Sequence, residues 1–266
     1  MAQQGFLYEE NVAKSLKKMN WVKPNYTPAG ASSDRPDLDL FIGGVEYGCE
    51  LKKDLASAGS LVIHYLGDGK YDYGETDGNK EKEFIKGLGE SNRVLNVIKQ
   101  KWGRYEPFIQ KDRNDKWVAR VRRSGLVLKE RYDTDLKNMR DIRFSLPSNT
   151  ISSYYNIKNT HYLNVATTGF YLLGKLDPAG LNTYADPKIP LWDQMHTAEL
   201  RIRVQSKGVT SATNNEKSRG WPFTGGQGYQ ITMEIQFKGV TKSPYNIGPI
   251  VGKSPNINEI AIKLPS

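Results

Sequence analysis

The sequence contains very little cysteine and no long apolar run, and each absence excludes a class of protein. Its single cysteine, Cys49, excludes a disulfide framework and a zinc site made of cysteine ligands, and is typical of a reducing compartment. No stretch approaches the ~18 consecutive apolar residues of a transmembrane helix. The first residues, Met-Ala-Gln-Gln-Gly, lack the basic and then apolar layout of a signal peptide. We therefore expect a cytoplasmic protein that is not secreted and has no membrane partner.

Length and positive charge are what the chain has instead. Its 266 residues are enough for one large domain, or for a core domain with an appendage. The formal net charge is +9, from 38 Lys and Arg against 29 Asp and Glu. An excess of this kind favours a polyanionic partner such as nucleic acid. We find no internal repeat and no long low-complexity tract.

A β-hairpin is predicted between Asp34 and Lys52. Gly43-Gly44 separates two alternating runs, and Gly-Gly favours a two-residue turn with positive φ. That turn places Ile42 opposite Val45 and, further out, Asp37 opposite Glu50. One face is then apolar throughout and consists of Leu38, Leu40, Ile42, Val45, Tyr47, Cys49 and Leu51. The other face carries Asp37, Asp39, Glu46, Glu50 and Lys52.

The polar face of this hairpin has the chemistry of a metal site. Directly opposed residues have Cβ atoms about 4.5–5.5 Å apart, so Asp37 and Glu50 would repel each other unless a cation lay between them. A hard divalent cation with oxygen ligands fits that position. Lys52 emerges on the same face one pleat along, where its ammonium can hold water or a phosphate oxygen. Asp39, diagonal to Glu50, is the alternative to Asp37, and an ordinary surface hairpin with scattered charges is the alternative to a site.

These residues resemble a known family. Pro36-Asp37, twelve intervening positions and then Glu50-Leu51-Lys52 resemble the signature of the PD-(D/E)xK nucleases, the metal-dependent core of many type II restriction endonucleases. The resemblance implies that Asp37 and Glu50 bind Mg²⁺, with Mn²⁺ as a substitute, and that the backbone carbonyl of Leu51 is a further ligand. Lys52 would orient or deprotonate the attacking water. No nucleotide cofactor is implied.

The same resemblance implies a function. We expect a sequence-specific type II restriction endonuclease that hydrolyses double-stranded DNA as a homodimer. A structure-specific nuclease of repair, recombination or phage replication with the same fold is one alternative. A basic DNA-binding protein without catalysis, in which the acidic face is incidental, is the other.

An amphipathic helix is predicted over residues 5–19. Glu9 shares its apolar stripe with Val12 and Leu16, whereas Glu10 is rotated toward the lysine-bearing face. In the family that the chain resembles, the first helix places an acidic residue beside the metal, and Glu9 is the candidate for that catalytic role, with Glu10 as its alternative. A first-turn glutamate that favours the helix dipole would give the same pattern.

The predicted fold is mixed α/β, with a restriction-endonuclease-like αβββαβ core. The hairpin and Leu61–Tyr65 supply consecutive strands after the first helix, and residues 21–26 form either a weak first strand or a loop. Residues 148–158 supply the second helix, with a capping serine at its start, and residues 161–166 supply the next strand.

Three regions follow from this layout. Residues 1–66 and 147–175 form the nuclease core, and residues 67–146 form an inserted helical and basic region. Residues 176–266 form an antiparallel β-rich region for DNA recognition or dimerisation, since apolar and polar residues alternate there as in half-solvated strands. One continuous domain is the alternative.

Contact with DNA is predicted in two of these regions. Between residues 99 and 143, 14 basic residues outnumber seven acidic ones and are interleaved with aromatics. Near the C-terminus, a basic loop at residues 206–228 adjoins an arginine-bearing strand, and arginine reads guanine in the major groove. A solvated helical face and an exposed hairpin tip are the respective alternatives. The candidate DNA-binding residues are Arg120, Arg122, Arg123, Arg201, Arg203, Lys207 and Arg219.

Overall fold

The computed structural model describes residues 2–26, 35–55, 57–67, 69–103, 109–111, 117–119, 137–207, 228–247 and 260. These residues form a mixed α/β structure with a four-stranded sheet, a five-stranded sheet and a two-stranded pair. None of the helices in the described ranges is long and apolar enough to cross a bilayer.

The helices and strands follow one another in this chain order: α1 (Ala2–Lys17), β1 (Leu38–Ile42), β2 (Val45–Lys52), β3 (Ser57–Gly67), β4 (Lys70–Tyr73), α2 (Lys80–Ser91), α3 (Val94–Trp102), β5 (Ile109–Lys111), β6 (Trp117–Ala119), β7 (Ile142–Leu146), α4 (Thr150–Asn156), β8 (Thr160–Val165), β9 (Gly169–Leu172), a 3₁₀ turn (Leu181–Thr183), α5 (Trp192–Met195), β10 (Thr197–Lys207) and β11 (Gly228–Lys238).

The chain divides into two compact units. The first comprises Met1–Ala58, Ser145–Glu199 and Gln236–Ser266, and the second comprises Gly59–Phe144 and Leu200–Ile235. The predicted region 176–266 is therefore shared between the two units. Residues 200–235 belong with the second because β11 pairs with β3 and not with a strand of the four-stranded sheet.

The four-stranded sheet has the order β1-β2-β8-β9. Its hairpin has the predicted register, with Leu38 opposite Cys49 and Ile42 opposite Val45. Gly43 and Gly44 have φ angles of +58° and +84°, a backbone conformation that residues with a Cβ rarely adopt. The turn therefore fixes which side chains share a face, as the sequence predicted.

Helix α1 packs its apolar stripe on the apolar face of this hairpin. Tyr8, Val12 and Leu16 lie in one buried cluster with Leu38 and Cys49, together with the rest of the hairpin face apart from its turn. Val45, beside the turn, is half exposed. Burying so much apolar surface is what holds the helix against the sheet.

The predicted second helix and following strand are confirmed as α4 and β8. Asn159, with a φ angle of +54°, lies in the turn that connects them. β8 pairs parallel to β2, with Glu50 opposite Leu163. Residues 21–26 form no strand, although the backbone N–H of Phe41 donates to the carbonyl of Trp21 at 2.7 Å.

The prediction that three consecutive strands share the core sheet is wrong. Leu61–Tyr65 does form a strand, within β3, but β3 belongs to the five-stranded sheet of order β4-β3-β11-β10-β7. The reason is that β1 and β8 occupy both edges of β2, so no edge is left for the next strand in the chain. The predicted insertion, residues 67–146, contains the helices α2 and α3 but also the strands β4 to β7.

Candidate active site

Asp37 and Glu50 lie side by side on the polar face of the hairpin. Asp37 directly precedes β1, and its Oδ2 accepts a hydrogen bond from the backbone N–H of Leu51 at 3.0 Å. That bond holds the aspartate carboxyl beside Glu50, the residue before Leu51. Asp37 and Glu50 are only 8% and 2% exposed, so water does little to screen their charges from each other.

Two lysines hold the Glu50 carboxylate from different sides. The Nζ of Lys52 lies 2.6 Å from Oε1, and the Nζ of Lys158 lies 3.0 Å from Oε2. Both ammonium groups also lie over the ring of Tyr155, at 5.9 and 5.6 Å from its centroid, which is within cation–π range. Lys158 is buried, whereas 23% of the Lys52 side chain is exposed.

The protonation states of this group follow from burial and from the neighbouring charges. Burial, and after it the charge of Glu50, raises the pKa of Asp37 to about 7. Burial alone would raise the pKa of Glu50 as well, but Lys52 and Lys158 lower it below its usual value. Although burial opposes it, the charges of Glu50 and Asp37 raise the pKa of Lys52. At neutral pH, Glu50 is therefore a carboxylate and Lys52 is an ammonium, while Asp37 is partly protonated.

Glu9 is the residue of α1 that reaches this group. Burial raises the pKa of Glu9, while the charge of Lys52 lowers it and that of Glu50 raises it again. Its Oε2 is buried and has no hydrogen-bond partner among the residues that the structure describes. Glu10 is exposed. Because α1 begins at Ala2, Glu9 is not in the first turn, and the helix-dipole alternative is wrong.

Asp39 and Asp37 lie beside different charged residues. Burial raises its pKa, Glu46 raises it further, and Arg35 lowers it. Glu50 is absent from these influences, whereas it is the strongest charge acting on Asp37. Asp37 is thus the aspartate that the hairpin brings to Glu50.

Gly48 allows two separate segments to meet at the site. A Cβ at Gly48 would lie 2.5 Å from the carbonyl oxygen of Asn159 and 2.5 Å from Cγ of Pro36. Those neighbours directly adjoin Lys158 and Asp37 in the sequence. Only a residue without a side chain lets both segments approach β2 this closely.

A buried polar network ties α1 to the same sheet. The Nδ2 of Asn164 in β8 donates to the hydroxyl of Tyr8 at 2.6 Å and to Oδ1 of Asn246 at 3.2 Å. The backbone N–H of Ile247 donates in turn to Oδ1 of Asn164. Tyr8 precedes Glu9, so this network fixes how far along the sheet the glutamate lies.

Lys158 is the residue of this group that the sequence interpretation missed. The sequence places Lys158 only at the end of the second predicted helix, residues 148–158. A usable signal was present, because Lys158 directly precedes the helix-to-strand turn into a strand predicted to complete the core sheet. What the sequence did not supply was the pairing of that strand with β2, which brings the turn beside Glu50.

Two of the predicted DNA-binding residues have side chains within the described part of the chain. Arg120, Arg122, Arg123 and Arg219, and the side chain of Lys207, are outside the described residues. Arg201 and Arg203 lie on β10 in the second unit, where both are paired with Glu234 of β11. The Nη2 of Arg201 lies 2.8 Å from Oε2 of Glu234, and the Nη2 of Arg203 lies 3.1 Å from Oε1. DNA contact by these residues remains a prediction.

Asp37 and Glu50 could hold a magnesium ion. Within the described ranges, no group of three or more His, Cys, Asp or Glu side chains is arranged around a possible metal position. Mg²⁺ needs less, because it uses one or two carboxylates and fills its other positions with water and substrate oxygens. Burial raises the pKa of Asp37 most and the charge of Glu50 raises it further, and a cation between the two carboxylates would offset both effects.

Comparisons with known proteins give one likeness. No family model and no curated protein sequence matches the chain. A solved structure described as HhaI endonuclease in complex with DNA is similar over 88% of this chain and 93% of that chain, with a TM-score of 0.42 and 10% sequence identity. A likeness at that level is no evidence about activity.

Proposed function

We propose that this protein is a magnesium-dependent endonuclease that hydrolyses phosphodiester bonds in double-stranded DNA. The observation that carries the proposal is the buried pair Asp37 and Glu50, with the Nζ of Lys52 2.6 Å from Glu50 and partly open to solvent. Two carboxylates and one ammonium on the same face of a hairpin are the groups that such a reaction needs. The net charge of +9 suits a polyanionic substrate.

Each residue has a distinct part in the proposed reaction. Asp37 and Glu50 would hold Mg²⁺, with the backbone carbonyl of Leu51 as a further ligand. When bound, the ion neutralises negative charge on the phosphate and lowers the pKa of water. Lys52 carries a proton at neutral pH, so it would donate hydrogen bonds to a phosphate oxygen and to the attacking water rather than remove a proton.

Glu9 would accept a proton or position water from the α1 side of the site. Its buried Oε2 has no hydrogen-bond partner among the described side chains. Its raised pKa lies closer to neutral pH than that of an exposed glutamate, as proton transfer requires. In-line attack by water with the 3′-oxygen as the leaving group would leave a 5′-phosphate and a 3′-hydroxyl, as the resemblance to the PD-(D/E)xK nucleases implies. We further propose a type II restriction enzyme that acts as a homodimer, since two-fold protein symmetry matches a palindromic target.

A second function is favoured by one specific observation. Both oxygens of Glu50 already have a lysine partner, which is how a purely structural buried ion pair would be arranged. In that case the protein would be a basic DNA-binding module, and Asp37, Glu50 and the two lysines would only stabilise its fold.

Digestion of plasmid DNA tests the proposal. We expect cleavage in Mg²⁺ and none in EDTA, with discrete fragments for a restriction enzyme and random nicking for a repair-type nuclease. Asp37→Asn should abolish cutting, whereas Asp39→Asn, which removes a half-buried carboxylate two residues further along, in β1, should not. A mobility shift without cutting would support the binding module and contradict the nuclease.

A further inference from the structure

The second lysine of the site, Lys158, is placed where it must conflict with a bound metal ion. Its Nζ lies 3.0 Å from Oε2 of Glu50, while Lys52 occupies Oε1. Both oxygens through which Glu50 could bind Mg²⁺ therefore face an ammonium group in the free protein. The side chain of Lys158 is only 7% exposed, so it cannot turn out into water without a large rearrangement.

The surroundings of Lys158 keep it there. One residue separates it from the end of α4, its backbone N–H donates to the carbonyl of Tyr155 at 3.0 Å, and its ammonium lies over the ring of that tyrosine. The next residue, Asn159, turns the chain into β8 and packs against Gly48. The lysine is thus part of a tight turn anchored on β2, and its position is set by the fold.

Two lysines balance the charges of Asp37 and Glu50 without a metal ion. When ionised, Asp37 and Glu50 carry two negative charges, and Lys52 and Lys158 carry two positive ones. A dication added to these four side chains leaves two positive charges in excess, of which an ionised Glu9 would offset one, and such an excess is costly where water is excluded. A phosphodiester brings one negative charge and would offset part of that excess.

We propose that Lys158 competes with the metal ion for Glu50, so that the free protein binds the ion weakly and binds it well only together with a phosphodiester. This inference rests on the proposed function, because it takes Asp37 and Glu50 as the metal ligands. Lys158 is in this sense a positioning residue, which acts through Glu50. It would restrict the assembly of the complete site to the DNA-bound protein.

The binding of Mn²⁺ to the free full-length protein, followed by calorimetry or electron paramagnetic resonance, tests this inference. Lys158→Met should bind Mn²⁺ about tenfold more tightly than the unchanged protein. That is a modest gain in affinity for removing a positive charge close to the ion. Lys158→Arg, which keeps the charge, should bind about as weakly as the unchanged protein. Adding Asp37→Asn to Lys158→Met should remove the gain, which assigns the bound ion to this site.

Lys238→Met is the control for net charge. The Nζ of Lys238 lies 2.7 Å from the buried Glu199 in the same unit, and 61% of the Lys238 side chain is exposed. This variant therefore removes the same charge from another buried glutamate without changing a buried lysine. We expect its affinity for Mn²⁺ to be unchanged. A gain in Lys238→Met as large as in Lys158→Met would reduce the effect to net charge and overturn the inference.

Near-UV circular dichroism shows whether each variant keeps its fold. Lys158→Gln retains a hydrogen-bond donor without the charge, and it replaces Lys158→Met if the latter does not fold. Unchanged or weaker Mn²⁺ binding in a folded, uncharged variant overturns the inference, even if the unchanged protein cuts DNA. Tighter Mn²⁺ binding in a protein that never cuts DNA supports the competition and overturns the nuclease proposal instead.

Discussion

The Nζ of Lys52 lies 2.6 Å from Oε1 of Glu50, two residues earlier on the same strand. Side chains two apart on a strand share a face, so β2 alone places a carboxylate and an ammonium together, without any distant segment. Asp37 then joins them from the residue just before β1, the strand paired with β2. The contact does more than neutralise Glu50, because it also keeps the lysine protonated in a site from which most water is excluded.

Replacing Lys52 separates its role in the reaction from its role in the fold. Lys52→Met should lower the cleavage rate by about 10²–10³-fold, the usual effect of removing one group that stabilises a developing negative charge. Single-turnover cleavage in Mg²⁺ measures the rate, and thermal unfolding shows that the fold is intact. Activity close to that of the unchanged protein would contradict the role given to this lysine.

Asp37 should make the metal-free protein less stable as the pH rises. Its pKa is raised to about 7 in the folded state, so the folded protein retains a proton that the unfolded chain has already lost. The resulting loss of stability grows as the pH rises from about 4 and is complete above about 7. Asp37→Asn should therefore stabilise the protein at pH 8 by about 4 kcal/mol, and by progressively less toward pH 4.

Urea unfolding in EDTA at several pH values measures this difference. Asp39→Asn is the comparison, since Asp39 is a half-buried aspartate of β1 whose pKa is not influenced by Glu50. An advantage of Asp37→Asn that stayed constant between pH 4 and pH 8 would show that Asp37 is ionised throughout.

Magnesium should stabilise the protein only when both carboxylates are present. An ion that binds the folded state alone raises its unfolding temperature, and the increase grows with the concentration of the ion. We expect a small rise for the unchanged protein in excess Mg²⁺ at pH 8, and none for Asp37→Asn or Glu50→Gln. Differential scanning fluorimetry with Mg²⁺ and with an equal ionic strength of NaCl separates binding from screening. An equal rise in all three proteins would place the ion elsewhere.

Gly48 should not accept even a methyl group. Gly48→Ala forces a contact of 2.5 Å with backbone at Asn159, and the strand or the turn must then move. We expect a loss of about 1–3 kcal/mol in unfolding free energy, as for other overpacked sites, together with a loss of cleavage.

Gly87→Ala is the control for Gly48→Ala. Nothing lies within 4 Å of a Cβ at Gly87, which is inside α2. Alanine at a helix position of this kind should stabilise by about 0.5–1 kcal/mol. Chemical denaturation of both variants gives the comparison, and a stable, active Gly48→Ala would show that the two segments are not held as closely as described.

Local features of the chain were predictable from its sequence, and long-range pairing was not. The turn at Gly43-Gly44 and the alternation around it determine the hairpin register, and with it the meeting of Asp37 and Glu50. The apolar stripe of α1 selected Glu9 over Glu10 in the same way. Both results depend only on residues close together in the sequence.

The partner of the free edge of β2 depends on distant residues. Consecutive strands often pair, which favoured β3 as the neighbour, but β8 takes that edge and brings Lys158 with it. No periodicity near Glu50 reveals a strand that begins at Thr160. The lysine was therefore missed for the same reason that the third strand was assigned to the wrong sheet.

The hydrogen bonds of Asn164 have a consequence for how the protein is made. This amide connects Tyr8, near the beginning of the chain, with Asn246, which the ribosome adds long afterwards. Until Asn246 has been added, Asn164 can hold the hydroxyl of Tyr8 but lacks one of its own partners. A half-made chain would therefore have the carboxylates of its hairpin before the network that positions Glu9 is complete.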